Sequence, residues 1–521
     1  MSKDLLVAYD FGTSSVKAAL FDIEGNILSN AHIYYPLIFP RCGWVEQRPD
    51  DLWHAMCNVT AKLFALINID KSRIAALSIC AQMCGTIPVD SAGNPLNNCL
   101  TWLDTRSRAI AHRITGDFIR IGEYGVRPLI HWLYKTNGIP NLSGRDPTTK
   151  IIWFRENAPS IWEQTHKFLD VKDYLIHRCC SRYITTPDVA HLTWLMESKN
   201  NKKCWSNDLL THLKIDKEML PEICHSTDII GNLSSEAAGE LGLNPGVAIV
   251  AGSGDVTASA LGAGSINPME IHLHIGSSAW LATHVPRRMV DIFSGIGTLC
   301  SANPDLYLLI AAQQSAGICV DWTARLFGFL NNNEEPDYTA FENSARNSTP
   351  GARNLCFLPW LFGECVPKID SHIRGGFINL STKHTLQDMS RAVLEGVALN
   401  VRWAYNSMNR LIKHTEKPIR FVGGGANNGF WCQILADVLN HPIMQMETPH
   451  LAGTRGAAMI ASVALKWYAS LENAAKFSST GHIYNPNQDL VEFYNERFKM
   501  FTDYYKRNKN WYAEFNKNKN E

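Results

Sequence analysis

Two short apolar runs near the amino terminus flank a polar turn. LLVAY and VKAALFD have the composition of β-strands, and the segment DFGTSS joins them. The turn residues Glu24, Gly25 and Asn26 end the second run. The pattern therefore predicts a β-hairpin at the start of the chain.

The same pattern returns in the second half of the chain. Between Glu270 and His284 the sequence EIHLHIGSSAWLATH runs from an apolar strand through Gly-Ser-Ser to a second apolar strand. Gly276 follows Gly12 at about half the chain length. We interpret this as a degenerate internal repeat of two related domains, residues 1–264 and 265–521, each presenting a hydroxyl-rich hairpin to a shared cleft.

Two further segments predict strand–turn–helix units. In PGVAIVAGSGDVTASALGAG the run VAIVAG predicts a strand and VTASALGA a helix, which leaves Asp255 at the corner between them. In IRFVGGGANNGFWCQILADVL a strand leads through Gly423, Gly424 and Gly425 into an apolar-periodic helix. Aromatic and apolar residues at helical spacing from Asp489 onward predict a helix that packs against a domain.

Composition narrows the classes of partner. The 521 residues suggest two to four domains, and 45% hydrophobic with 19% charged residues is typical of a globular protein. Lysine plus arginine equals aspartate plus glutamate at 49 each, so no basic excess points to nucleic acid or an acidic membrane surface. A small ligand is the expected partner.

Targeting signals and cysteine spacing add two expectations. The start of the chain lacks the apolar core of a signal peptide, and no apolar run approaches the roughly 18 residues of a membrane helix. A cytoplasmic protein is expected. No two of the 14 cysteines have the Cys-x-x-Cys spacing, and several lie within apolar runs. We therefore expect neither a zinc site nor disulfide bonds.

The first hairpin carries groups suited to phosphate. Gly12 allows a ligand to approach the main chain, and Asp10 ends the first strand, where a carboxylate suits hydrated Mg²⁺. Hydroxyl, amide and ammonium donors follow at Thr13, Ser14, Ser15 and Lys17. A Walker-type loop does not fit the spacing, and an ordinary hairpin whose turn is satisfied by these residues stays an alternative.

The other candidates also have structural alternatives. Asp255 is either a helix N-cap or a general base whose ionised form the helix start stabilises, and for a loose phosphoryl-transfer transition state ordinary basicity suffices. The glycine turn at Gly424 suits a flat ring, but Rossmann spacing is absent, which argues against a dehydrogenase. His272 and His274 alternate on one strand face, and without a third ligand a structural role is favoured over a metal site.

Together these residues resemble the FGGY carbohydrate kinases of the actin-like ATPase superfamily. The resemblance runs from Leu5 to about Tyr468 and follows the family's order. Its pieces are DFGTSSVK, GWVEQRPDDLW, CAQMCGTIPVD, TWLDTRS, KIIWFREN, VKDYL, TTPDVAHLT, GSGDVTASALGAG, HIGSSAW, FLPWLFGECVP, RGGFINL, RAVLEGVALN and GGGANNGFWCQILADVL. The letters FGGY themselves are absent. The resemblance implies an α/β fold of two ribonuclease H-like (actin-like ATPase) domains flanking a cleft.

The resemblance also implies an ATP site and a sugar site. Asp10 would hold Mg²⁺ through water, and Asp255 would accept the proton of the sugar hydroxyl. ATP contacts are implied for Thr13, Ser14, Lys17, Gly276, Ser277, Ser278, Gly317, Gly424, Gly425 and Asn428. Sugar contacts are implied for Gln82, Met83, Cys84, Trp102, Asp104 and Asp255.

The implied reaction is transfer of the γ-phosphoryl group of magnesium ATP to a hydroxyl of a pentulose. The segment around Gln82 is most similar to the xylulose kinase type, so D-xylulose is expected, with ribulose, glycerol or a tetritol as alternatives. Two positions depart from the pattern: Cys84 stands where the xylulose kinase type has histidine, and Val256 stands where a polar neighbour of the base is frequent. A thiol is a weaker partner for a sugar hydroxyl than imidazole.

Other classes fit less well. A chaperone ATPase would need a peptide-binding domain, and only about fifty residues follow Tyr468. An actin-like filament leaves Gln82 and the Trp-x-Asp segment without a use. A sugar-binding regulator that has lost the chemistry is disfavoured by the presence of Asp10, Lys17 and Asp255 together. A homodimer is compatible with the sequence.

Overall fold

A computed structural model describes residues 3–199, 202–412 and 415–517, which are organised around two mixed β-sheets. The first sheet has six strands, in the order Ile229–Asn232, Ala248–Gly254, Ile74–Ala81, Leu5–Phe11, Ser15–Asp22 and Ile27–Tyr34. The second has eight, in the order Val290–Asp291, Ile296–Cys300, Tyr307–Gln313, Ala279–Val285, Ile271–Ile275, Ile419–Val422, Ile443–Met446 and Thr480–Tyr484.

Both predicted hairpins are confirmed, and they occupy equivalent places. Leu5–Phe11 pairs antiparallel with Ser15–Asp22 and parallel with Ile74–Ala81. Ile271–Ile275 likewise pairs antiparallel with Ala279–Val285 and parallel with Ile419–Val422. The first strand is buried on both faces, which explains why LLVAY is continuously apolar instead of alternating.

Both strand–turn–helix units are also confirmed. Ala248–Gly254 leads directly into the helix Asp255–Gly262. Ile419–Val422 leads through a 3₁₀ turn at Gly424–Asn427 into the helix Gly429–Leu439. Each unit therefore brings glycines to the end of a buried strand, within the strand itself in the first unit and in the 3₁₀ turn in the second.

The remaining elements surround the two sheets. The other α-helices are Pro49–Ala65, Arg108–Thr115, Val126–Thr136, Pro147–Asn157, Pro159–Gln164, Val171–Cys180, Pro187–His191, Asn207–Leu213, Ser235–Leu241, Gly317–Leu326, Tyr338–Arg346, Leu386–Leu411, Ala452–Ala464 and Val491–Phe515. Short strand pairs are Glu46–Gln47 with Cys99–Leu100, Ile87–Val89 with Lys167–Leu169, Arg120–Ile121 with Tyr124–Gly125, Ile184–Thr185 with Glu222–Ile223, Met196–Glu197 with Cys204–Trp205, and Cys356–Leu358 with Gly376–Ile378.

The carboxy-terminal helix Val491–Phe515 packs as predicted. Phe501 and Tyr505 are buried on its inner face. Their rings lie 5.2 Å from those of Trp360 and Trp403, respectively, measured between centroids. This aromatic contact attaches the tail to the second half of the molecule.

The helices Asp255–Gly262 and Ala452–Ala464 cross with their backbones in direct contact. A Cβ added to Gly262 of the helix Asp255–Gly262 would overlap the carbonyl oxygen of Ala452. A Cβ added to Gly456 of the helix Ala452–Ala464 would overlap the carbonyl oxygen of Ala258. Both glycines are therefore required by the close approach of the helices.

The helix Ala452–Ala464 also joins the two halves of the chain. In sequence it lies between two strands of the second sheet, Ile443–Met446 and Thr480–Tyr484, yet its apolar face packs on the first sheet. Ala458 and Ile460 share one buried cluster with Leu6 and Ala8. The helix thus connects the two sheets.

The described helices include none with both the length and the apolar character needed to cross a membrane.

We expect Gly456→Ala to lower the melting temperature, because the added methyl group forces the crossing helices apart at a cost of about 1–3 kcal/mol. Gly239→Ala is the matched control, since Gly239 is an exposed helical glycine with no described heavy atom within 4 Å of the added carbon. The control should hold or raise the melting temperature, because alanine favours helix over glycine by roughly 1 kcal/mol. Differential scanning calorimetry compares them, and a Gly456→Ala variant as stable as the wild type would contradict the close crossing.

Candidate functional site

The first hairpin places a carboxylate opposite an ammonium group. Asp10 and Lys17 are partners in the strand register, and neither is fully buried. The amide of Gly12 donates to the carbonyl of Ser15 at 2.9 Å, and the hydroxyl of Tyr35 donates to the Gly12 carbonyl. The turn is therefore closed by the protein itself, and its outer side stays open to a ligand.

Thr13 connects this turn to residues expected to contact the sugar. Its hydroxyl accepts a hydrogen bond from Trp102 Nε1 at 3.0 Å, and its carbonyl accepts one from Gln47 Nε2 at 2.6 Å. Gln82 Nε2 donates to Gln47 Oε1 at 2.6 Å. Gln82 Oε1 is buried without a partner in the described part of the chain, so it is an acceptor available to a ligand.

Met83 and Cys84 line the same region. The thioether of Met83 lies where a side chain at position 254 would be, so Gly254 is required for Met83 to pack beside Asp255. Cys84 has a left-handed backbone, with φ at 66°. Burial raises the pKa of the Cys84 thiol well above its usual value, so the thiol is neutral at physiological pH.

A buried lysine holds this loop from behind. Lys150 Nζ donates to the carbonyls of Cys84 at 2.8 Å and Thr101 at 2.7 Å, with a third, longer contact to Leu100 at 3.4 Å. Lys150 is 0% exposed, and burial lowers its pKa. It positions the loop and is not presented to a ligand.

Asp104 faces the protein interior. Its side chain is 0% exposed. It accepts hydrogen bonds from the amide of Val45 at 2.8 Å and from Arg106, whose guanidinium also bonds Glu46. All these partners are internal, so we leave Asp104 out of the sugar-contact set proposed below.

Asp255 is the most perturbed carboxyl group of the cleft. It begins its helix and accepts a hydrogen bond from the Val256 amide at 2.8 Å, which favours the charged form. Burial and the nearby charge of Asp10 outweigh this bond and raise the pKa of Asp255 from 3.8 to about 8. Burial and the charge of Asp10 therefore influence the pKa of Asp255 more strongly than the helix start, which was expected to stabilise the ionised form.

Asp10 is enclosed from two sides. The thiol of Cys80 donates to Asp10 Oδ1 at 3.5 Å. A Cβ at position 453 would overlap the Asp10 carboxylate, so the helix Ala452–Ala464 meets Asp10 at a glycine. The helix that joins the two sheets thus packs directly against the Asp10 carboxylate.

The second hairpin brings three predicted residues together. The Gly276 amide donates to the Ser278 carbonyl at 3.0 Å. The carbonyl of Gly276 accepts from the Gly317 amide at 3.0 Å, and that of Ser277 accepts from Ala316 at 3.0 Å. A Cβ at Gly317 would overlap the Gly276 carbonyl. Gly317 is therefore part of the same turn structure.

The glycine turn after Ile419–Val422 lies beside the second hairpin. Gly423 has φ at 88°, and a Cβ there would lie 2.5 Å from the carbonyl oxygen of Ile275. Gly424 is exposed, with no described atom within 4 Å of an added Cβ. The side chain of Asn428 caps the following helix by accepting from the Trp431 amide at 2.9 Å. Gly424 is therefore open at the surface, whereas the side chain of Asn428 is engaged as a helix cap.

Lys17 of the first hairpin lies within electrostatic reach of two histidines of the second half of the chain. Burial lowers the pKa of His274 on the second hairpin, and the Lys17 ammonium on the first lowers it further. Lys17 acts in the same way on His450, which precedes the helix Ala452–Ala464. Lys17 therefore projects into a space shared with the second sheet.

Sequence reasoning did not select several residues of the site: Tyr35, Gln47, Lys150, His450 and Gly453. One signal was present, because Lys150 interrupts an otherwise apolar helix start in KIIWF. The others act through contacts between distant segments, which no local pattern encodes.

Among the described residues, no group of three or more histidine, cysteine, aspartate or glutamate side chains is arranged to hold a metal ion.

Comparison with known proteins gives a consistent result. Residues 5–262 match the N-terminal domain of the FGGY family of carbohydrate kinases, and residues 277–465 match its C-terminal domain. A xylulose kinase of Staphylococcus epidermidis is 29% identical over 511 residues, covering 98% of each chain. The crystal structures of a gluconate kinase and a ligand-bound xylulose kinase, both from Lactobacillus acidophilus, superpose with TM-scores of 0.85 at 28% identity, each covering 98% of this chain and 99% of the other.

The predicted fold of two domains flanking a cleft is confirmed by these superpositions. Enzymes of this kind use ATP as the phosphate donor and a small sugar as the acceptor. Because the two family models together match most of its length, the chain belongs to the FGGY family of carbohydrate kinases.

Proposed function

We propose that the protein transfers the γ-phosphoryl group of ATP to a hydroxyl group of a ketopentose, D-xylulose. The observation that carries the proposal is the position of Asp255, which begins its helix in a buried setting within electrostatic reach of Asp10. The similarity to xylulose kinases over nearly the whole chain supports the choice of substrate.

The two turns supply donors for the phosphates from opposite sides. Thr13, Ser14 and Lys17 would contact them from the first hairpin, and Gly276, Ser277 and Ser278 from the second. Gly317 would lie next to the nucleotide because it packs on Gly276. Gly424, Gly425 and Asn428 would flank adenosine, since their surface carries little side-chain bulk.

Asp10 is suited to a hydrated magnesium ion. The charge of Asp10 raises the pKa of Asp255, so two carboxyl groups lie near each other and a cation between them and the phosphates would be favoured. One carboxylate together with water and phosphate oxygens is a usual environment for Mg²⁺. When bound, Mg²⁺ neutralises charge on the phosphate oxygens and supports the departure of ADP.

The transfer step needs one base and correct alignment. The sugar hydroxyl oxygen forms a bond to the γ-phosphorus while the bond from that phosphorus to the bridging oxygen breaks, and ADP leaves with the electron pair. Asp255 accepts the hydroxyl proton in its ionised form. Most of the acceleration would come from positioning and charge neutralisation.

The geometry near Cys84 favours a neutral sugar. Gln82 Oε1 is a free buried acceptor, and Met83, Cys84 and Trp102 would provide the remaining contacts. The ammonium of Lys150 is engaged by main-chain carbonyls and is not available to a substrate carboxylate.

Gluconate is the second candidate substrate. The gluconate kinase of Lactobacillus acidophilus superposes on this chain as well as the xylulose kinase of the same organism does, with a TM-score of 0.85 for each. A sugar acid would require a cationic partner near Cys84, and Lys150, which contacts the Cys84 carbonyl, is already bonded to main-chain carbonyls.

A coupled ADP-release assay with magnesium ATP tests the function. We expect the highest kcat/KM with D-xylulose in a panel that also contains ribulose, gluconate, glycerol and a tetritol. No sugar-dependent ADP release with any of them would indicate a sugar-binding regulator. A preference for gluconate would retain the kinase assignment and reject the ketopentose.

Asp255→Asn should keep ATP binding and reduce kcat by about 10²–10⁴-fold, because the variant has no base for the sugar proton. The matched control is Asp337→Asn, at the exposed start of the helix Tyr338–Arg346, where asparagine replaces aspartate as a cap. Steady-state kinetics and calorimetric titration of ATP measure the two effects. Near-normal turnover of Asp255→Asn would contradict the assignment of the base.

The raised pKa of Asp255 also predicts a pH dependence of stability. The folded state holds this proton up to about pH 8, whereas the unfolded chain releases it near the ordinary value of 3.8. The contribution of Asp255 to the free energy of unfolding of the wild type is therefore fully present below about pH 4, and it is lost as the pH rises through about 8. Asp255→Asn lacks this loss, so its melting temperature relative to wild type should rise between pH 5 and 9. Parallel curves for the two ligand-free proteins would contradict the shift, and Asp337→Asn should run parallel to wild type.

A further inference from the structure

An imidazole and an indole form a stacked pair on the cleft-facing side of the second sheet. His274 and Trp280 are opposite in the strand register, with ring centroids 3.8 Å apart and ring planes 7° from parallel. The alternate residues Ile271, Leu273 and Ile275 belong to the apolar core on the other face. The pair is only partly buried, as expected for a surface that borders the cleft.

The polar edge of the imidazole points between two glycine turns. Its Cε1 atom lies 3.1 Å from the position of a Cβ at Gly276, and its Nε2 atom lies 3.1 Å from that of a Cβ at Gly423. Its Nδ1 atom is buried and has no hydrogen-bond partner in the described part of the chain. An unpaired polar group is thus held between the second phosphate-type turn and the proposed adenosine turn.

The surroundings connect this pair to the reacting centre. Trp280 and Val256, the neighbour of Asp255, both pack against a small apolar cluster that includes Ala260 of the same helix. On the first hairpin, Lys17 lies close enough to act electrostatically on the imidazole. His274 is therefore near groups from both hairpins and from the helix that carries the proposed base.

We propose that His274 is an additional phosphate-binding residue, which donates a ring N–H to an oxygen of the nucleotide polyphosphate while Trp280 fixes the plane of the ring. This inference rests on the proposed function, because it requires the nucleotide to lie between the two hairpins. His272, two residues earlier on the same face, serves as the comparison: its ring nitrogens are also unpaired, but it is 0% exposed and touches neither glycine turn.

Titration calorimetry with Mg-ADP and with adenosine tests the proposal. His274→Phe preserves an aromatic ring against Trp280 and removes the donor. We expect it to weaken Mg-ADP binding by about 10–100-fold, the range for a lost hydrogen bond to a charged group, and to leave adenosine binding unchanged. His274→Gln retains a donor and should recover most of the affinity. His272→Phe is the matched control and should bind both ligands as wild type does.

Kinetics separates this role from a structural one. His274→Phe should raise the KM for ATP and leave the KM for the sugar unchanged, whereas a damaged fold would change both. Wild-type Mg-ADP affinity in His274→Phe would overturn the inference, and so would equal losses for Mg-ADP and adenosine. If the wild-type protein itself bound no Mg-ADP, the proposed function would fail and the inference with it.

Discussion

The contact between the helices Asp255–Gly262 and Ala452–Ala464 determines where the polar groups of the cleft lie. The two backbones meet at Gly262 and Gly456, with no side chain between them. One helix begins with Asp255, and the other meets Asp10 at Gly453. The distance between the two carboxyl groups is therefore fixed by a contact several residues away from either of them, and larger residues at the crossing would move both.

This closeness makes ionisation of Asp255 costly. Burial and, after it, the like charge of Asp10 raise the pKa of Asp255 to about 8. Positive charge arriving near Asp10 would oppose this shift. In the proposed reaction, the nucleotide and its counter-ion would thus favour the ionised form of Asp255, which accepts the proton.

Much of the fold follows from local patterns in the sequence. The hairpins were predictable because a polar turn separates two apolar runs, and the corner at Asp255 because a buried strand gives way to small helix-forming residues. The basicity of Asp255 was not predictable, since it depends on burial and on Asp10, which is 245 positions earlier in the chain. The hydrogen bond of Asp104 to the Val45 amide was hidden for the same reason, since Val45 is 59 positions earlier in the chain. The stacking of His274 on Trp280 likewise requires the exact register of the hairpin.

The buried Lys150 has a consequence for how this cleft diversifies. The carbonyls of Cys84 and Thr101 are turned inward to the ammonium, the amide of Gly85 donates to Asp170, and that of Thr101 donates to Val45. The main chain on this wall of the pocket thus has few unpaired groups available to bind a ligand. Discrimination between ligands there depends on side chains. A single substitution can exchange such a side chain without disturbing the main chain, so the same catalytic frame can acquire a new phosphoryl acceptor.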